Sequence, residues 1–268
     1  MMPSPEFITL GDGEVSIRDS RTPDAPVVFL FHSLGTSAEL WTPQFETLAR
    51  SYRLIAMDCR GHGRTSCRGA FSIAACVADA RAVLDARAVT RAHVVGLSMG
   101  GLMAAQLAAQ PDAGERVRSV TLACSYATLA GTSSQARLDG TRDALERMSM
   151  ATFARQYMDS TATSKLDSRW RERMIAVIGA MKAGDYLITL RDILFHDCTA
   201  ALRALRVPAL VLSGALDSRV SAQTTAKLAG EIASARTTRL AQAGHLANIE
   251  APDAFNAALD AFWRSIDA

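Results

Sequence analysis

The segment Pro26-Val-Val-Phe-Leu-Phe31 is apolar at every position, and no other feature constrains the fold as tightly. A strand with one wet face alternates apolar and polar residues. A strand that does not alternate must be covered on both faces, as in the middle of a parallel sheet. Further strands are expected at residues 52–57, 93–97, 117–123 and 207–212, with a short one at 236–240. Helices are expected between them, at 38–50 with Ser37 as N-cap, and at 73–88, 99–110, 222–231 and 252–266. Strand and helix in alternation imply an α/β fold, a mostly parallel central sheet with helices on both faces. Residues 7–10 and 14–19, around Gly11-Asp12-Gly13, read as an antiparallel hairpin whose polar second strand lies at the edge.

The rhythm stops at Ser125 and resumes near Val207. The expected organisation is a core of residues 1–124 and 206–268, interrupted by a helical cap at 125–205. Three cap helices are expected, at 142–158, 167–181 and 185–195. They offer Met148, Met150, Phe153, Met158, Trp170, Met174 and Met181, side chains suited to a mainly apolar cavity above the sheet, at least half of which are expected simply to pack the insertion against the sheet.

Composition removes several classes of function. The chain has 268 residues, 49% of them hydrophobic, and a net charge of +2 from 29 basic and 27 acidic groups. That is enough to bury one large core, and no arginine block marks a nucleic-acid footprint. No apolar run approaches the ~20 residues that span a bilayer, so no membrane role is expected. The opening Met-Met-Pro-Ser-Pro-Glu lacks the pattern of a signal peptide. Cys59, Cys67, Cys76, Cys124 and Cys198 are an odd set without paired spacing, which fits reduced thiols, a cytoplasmic location and no metal site. A homo-oligomer is compatible with the sequence.

The chemistry centres on Gly96-Leu97-Ser98-Met99-Gly100, placed between an expected strand and an expected helix. A sharp strand-to-helix turn leaves no room for a side chain at either flanking glycine, and it exposes the Ser98 hydroxyl at the sheet's carboxyl edge. A hydroxyl becomes a nucleophile when a base takes its proton. His245, on a loop after the last short strand, is the candidate base. Asp217 ends the strand before it and is the candidate carboxylate to orient that imidazole. A developing oxyanion needs backbone donors, expected at Met99, after the nucleophile, and at Leu34, in the loop after the first buried strand. Chemistry of this kind requires no metal or organic cofactor, and its partner is a small-molecule substrate.

Taken together, His32-Ser-Leu-Gly35, Asp58-Cys-Arg-Gly-His-Gly-Arg-Thr-Ser66, Gly96-Leu-Ser-Met-Gly-Gly101, Gly214-Ala-Leu-Asp217 and Gly244-His245 resemble the α/β-hydrolase superfamily. The resemblance implies the α/β-hydrolase fold, with nucleophile, acid and base at Ser98, Asp217 and His245 and oxyanion donors at Leu34 and Met99. Ser33-Leu-Gly-Thr36 followed by Trp41, and Ala136-Arg137-Leu138, are similar to segments of the 3-oxoadipate enol-lactonases. That closer resemblance implies that Arg137 anchors a substrate carboxylate; elsewhere the insertion departs from those enzymes.

Hydrolysis of a small carboxylic ester or lactone through an acyl-enzyme is the expected function. Cleavage of a C–C bond in a diketone-like metabolite, or a related lyase reaction, would use the same residues. A silent ligand-binding protein would need none of the three. His196, where the insertion returns to the core, is a second candidate for substrate contact beside Trp170, whereas His32, His62 and His93 are expected to be structural.

Overall fold

The computed structural model describes residues 2–11, 13–65 and 69–267. Asp12 of the hairpin turn, Ser66 of the glycine-rich motif and Cys67 therefore lie outside the described residues. Among the described residues, eight strands form one sheet: β1 (Glu6–Leu10), β2 (Gly13–Asp19), β3 (Val27–Phe31), β4 (Arg53–Met57), β5 (Ala92–Leu97), β6 (Val117–Ala123), β7 (Ala209–Gly214) and β8 (Ala235–Leu240). Their spatial order is β1-β2-β4-β3-β5-β6-β7-β8. From β4 to β8 all neighbours are parallel, and only β1–β2 and β2–β4 are antiparallel.

The helices of the first half are α1 (Thr42–Leu48), α2 (Ile73–Ala86), α3 (Met99–Ala108) and the single turn α4 (Ala113–Arg116). Between β6 and β7 come α5 (Ser134–Arg147), α6 (Met150–Thr161), α7 (Ser168–Gly179), α8 (Ala183–Phe195) and α9 (Thr199–Ala204). The chain closes with α10 (Ala222–Gly230), α11 (Ala247–Glu250) and α12 (Pro252–Asp267). Among the described residues, no helix is long and apolar enough to cross a membrane.

The all-apolar run on β3 has the double cover it requires. Val28 and Leu30 join Trp41, Phe45, Phe255 and Trp263 on one face, while Phe29 and Phe31 join Ile73, Val77, Leu102 and Met103 on the other. Each large side chain so buried is worth roughly 1.5–3 kcal/mol against exposure. The helices between β6 and β7 contribute to both clusters: Met158 and Met174 pack with the first, Tyr186 and Leu190 with the second. These helices therefore rest on the sheet domain on both sides of the strand ends.

Three expectations about elements are corrected. β2 is not an edge strand: β1 flanks it, and Val15 through Asp19 are buried. Its polar residues tolerate burial because they are paired. Asp19 accepts hydrogen bonds from Arg53 Nε at 3.0 Å and from a second guanidinium nitrogen at 2.7 Å. The expected helix 142–158 is two helices, because Met148 is extended and the Ser149 side chain caps α6 by accepting from the Thr152 amide. The first helix divides similarly, into a 3-10 turn (Ala38–Trp41) capped by Ser37 and α1, which carries a proline in its first turn.

Candidate active site

Strand order reverses beside β3: β4 lies on one side and β5 on the other. Loops leaving the carboxyl ends of strands at such a reversal diverge and leave a crevice. Ser98 follows β5 at this place, and Leu34 follows β3.

Ser98 has φ 56° and ψ −115°, a conformation that costs a non-glycine residue on the order of 1–3 kcal/mol. The surrounding backbone holds it there. Its N–H donates to Ala123 O at 2.8 Å, and its carbonyl accepts from Gly101 N at 2.9 Å and Ser125 Oγ at 2.8 Å. Both flanking glycines are sterically required. A Cβ on Gly96 would lie 2.0 Å from Gly100 O, and one on Gly100 would lie 2.3 Å from Phe31 O.

The three residues singled out in the sequence meet. His245 Nε2 is 3.0 Å from Ser98 Oγ, and its Nδ1 is 3.0 and 3.1 Å from the two Asp217 carboxylate oxygens. An ionised carboxylate can only accept, so Nδ1 carries the proton and Nε2 is left to accept from the serine hydroxyl. Burial works to raise the Asp217 carboxyl. The hydrogen bond from His245 and the amides of Val220 and Arg219 nevertheless hold it below its ordinary value. The histidine loop is itself fixed. Glu250, which belongs to no motif, accepts from the amides of Gly244 at 3.2 Å and Leu246 at 2.9 Å. It also accepts from Thr163 N at 3.0 Å, which ties the end of α6 to that loop.

His32 pins the loop that carries Leu34. Its Nε2 accepts from Cys59 N at 3.0 Å, so its Nδ1 carries the proton and donates to Ser33 O at 2.8 Å. Burial pushes its pKa down to about 4, so the ring stays neutral and holds this loop across the neutral range. His62, its ring tilted against that of His32 with centroids 5.0 Å apart, is pushed down to about 3, first by burial and then by that neighbour.

Ser98, His245 and Leu34 open into a cavity of about 400 Å³. Arg137 and Phe153 line it from α5 and α6, as do Tyr157 and Tyr186 from α6 and α8. Met99 begins α3, where a backbone N–H has no partner within the helix. Two expected contacts are not made. Trp170 does not line the cavity: α7 turns Met174 and Ile178 into the core, and the Trp170 ring lies under the Arg173 guanidinium at 5.4 Å. His196 also lies elsewhere. α8 stops at Phe195, and the extended backbone at His196 places its ring 3.3 Å from Gln106 of α3. Most of the large side chains that the cap helices offer pack the helices against the sheet or lie away from this cavity. Met158 and Met174 are fully buried in the core, and of the seven side chains proposed only Phe153 reaches this cavity. Tyrosines and a second arginine, Arg219, stand in their place. Cys59, Cys76, Cys124 and Cys198 are buried and unbridged.

Residues 26–252 match the family model described as alpha/beta hydrolase fold. The chain is 27% identical over 255 residues to 3-oxoadipate enol-lactonase 1 of Acinetobacter baylyi, an alignment covering 94% of each protein. Among solved structures it is similar to the enol-lactonase from Burkholderia xenovorans LB400, with TM-score 0.86 and 28% identity, over 97% of this chain and 100% of that one. A hydrolase from Pseudomonas aeruginosa PA01 superposes equally well, with TM-score 0.86 and 29% identity over 97% and 98% of the two chains.

Proposed function

This chain belongs to the α/β-hydrolase family, and we propose that it is a serine hydrolase of small carboxylic esters or lactones. The reading is carried by one observation, the unbroken hydrogen-bonded line from Ser98 Oγ through the His245 ring to the Asp217 carboxylate. In the proposed reaction Ser98 Oγ attacks the carbonyl carbon while His245 Nε2 takes its proton. Asp217 stabilises the imidazolium that forms. The carbonyl oxygen, now an oxyanion, accepts from the amides of Leu34 and Met99; losing one such donor typically costs about 3 kcal/mol in the transition state. His245 then protonates the departing oxygen, leaving an acyl-enzyme on Ser98. A water, deprotonated by the same imidazole, attacks the acyl carbon and releases the acid.

An enol-lactone fits this scheme with one difference: its departing oxygen stays tethered to the acyl group. The resemblance to the two enol-lactonases supports that substrate type. A panel of aryl esters, saturated lactones, enol-lactones and vinylogous diketones tests the reading, with rapid quenching and mass measurement of the protein. The expected result is a transient acyl adduct on Ser98 with an ester or lactone. Turnover of diketones alone, with no adduct from any ester or lactone, would overturn it in favour of C–C cleavage.

A further inference from the structure

Of the four large apolar side chains that stand exposed among the described residues, two share α8: Ile188 at 44% and Phe195 at 48%. Seven residues apart, they lie two turns from each other on one face of that helix. Single exposed apolar residues are ordinary, but a pair bordering a groove marks a contact surface. The groove holds about 560 Å³ and has Phe71 in its wall. Between the two apolar residues the same face carries Arg191 and Asp192, which also line the groove. Arg191 is exposed and makes no ion pair among the described residues. Asp192 commits one oxygen, Oδ2, which accepts from Ile73 N at 2.9 Å. The opposite face of α8 turns Tyr186, Leu190 and Ile193 into the cavity above Ser98.

This face is complementary to itself. The midpoint between Ile188 and Phe195 falls between Arg191 and Asp192. An antiparallel copy related by a two-fold axis at that point therefore sets Ile188 against the partner's Phe195 and Arg191 against the partner's Asp192. Each contact then occurs twice, as an isologous interface requires. We propose that α8 is the centre of a two-fold dimer of this chain. The apolar contacts supply most of the affinity, since an exposed ion pair adds little. The charges set direction and register. A parallel two-fold pairing would put Arg191 against the partner's Arg191, and like charges so placed disfavour it. The interface uses only the face of α8 that the cavity does not.

Sedimentation equilibrium of the full chain, from about 1 to 100 μM, tests it. The expected result is a concentration-dependent species of twice the 28.7 kDa chain mass. Ile188→Gln and Phe195→Ser should each weaken it about tenfold or more, with the far-ultraviolet circular dichroism unchanged. Charge reversal is the decisive arm. Arg191→Glu sets acid against acid in its own dimer, and Asp192→Lys sets base against base, so each variant alone should dimerise more weakly. Mixed together, the two should pair with each other. Glutamate then faces lysine at one contact, while the unaltered Arg191 and Asp192 face each other at the second. Asp192→Lys also loses the bond to Ile73 N, but a merely structural fault there would not be mended by mixing. If that variant fails to fold, Phe195→Ser and Arg191→Glu decide the matter. A chain that stays monomeric throughout the range overturns the proposal. So does a dimer that Phe195→Ser and Arg191→Glu leave unchanged, or a mixture of the two folded charge variants in which no heterodimer forms.

Discussion

The turn at Ser98 and the helical stretch between β6 and β7 obey different physics, and that difference decides what a sequence can reveal about each. Around Ser98 the backbone leaves no choice of residue: two carbonyl oxygens occupy the space that side chains on Gly96 and Gly100 would need. In α5 the opposite holds, and a Cβ on Gly140 would meet nothing within 4 Å. Local sterics write a motif into the first region. In the second, function depends on where side chains point after the helices have docked, and many sequences satisfy that.

The sharpest way to break this contrast is to substitute glycines in both regions. Gly96→Ala should destabilise the protein by about 3 kcal/mol or more in chemical denaturation, because the added methyl meets rigid backbone. Gly140→Ala should stabilise it, by up to about 1 kcal/mol, as an ordinary removal of glycine from a helix. Similar effects at the two sites would refute the distinction.

A second test concerns the paired charges that let β2 lie inside the sheet. Asp19 is fully buried and bridged by Arg53. Burial works to raise its carboxyl, yet the bond from Arg53 holds it below its ordinary value. A carboxyl depressed in the folded state adds stability above its unfolded value and loses it as pH falls through its folded one. Asp19→Asn should therefore cost about 3–5 kcal/mol near neutrality and flatten the acid limb of stability against pH. An unchanged acid limb, measured by thermal melts from neutral pH downward, would show that the acid sensitivity comes from other groups.

The smallest effect is expected at His196. It pairs with Gln106 outside the Ser98 cavity, so His196→Gln should keep kcat/KM within about twofold of the unaltered protein. A large loss with any ester would return it to the site.

Much of the core was legible for the same steric reason. The all-apolar run of β3 and the alternation of strand and helix around it mark the parallel sheet, and chain order together with strand-end position picks out Asp217 and His245. The polar β2 was misplaced because composition alone does not show that Asp19 has a bridging arginine from β4. Met148 and Ser149 hid a helix break whose only mark is a capping serine. Trp170 suits an apolar cavity as an aromatic side chain, but α7 faces the core through Met174 and Ile178 instead. Arg219 and Glu250 carry no motif because each acts through residues of α6 or just beyond it, distant in sequence. The partners of Arg219 are Tyr157, Ser160 and Thr161 on α6.

The central claim, that the 3.0 Å contact between Ser98 and His245 makes this hydroxyl a nucleophile, is tested most directly by a fluorophosphonate probe and intact-protein mass. The account predicts one adduct on the native chain, none on Ser98→Ala, and labelling slowed by orders of magnitude on His245→Ala. Equal labelling of the native and Ser98→Ala proteins, or none on a well-folded native chain, would contradict it.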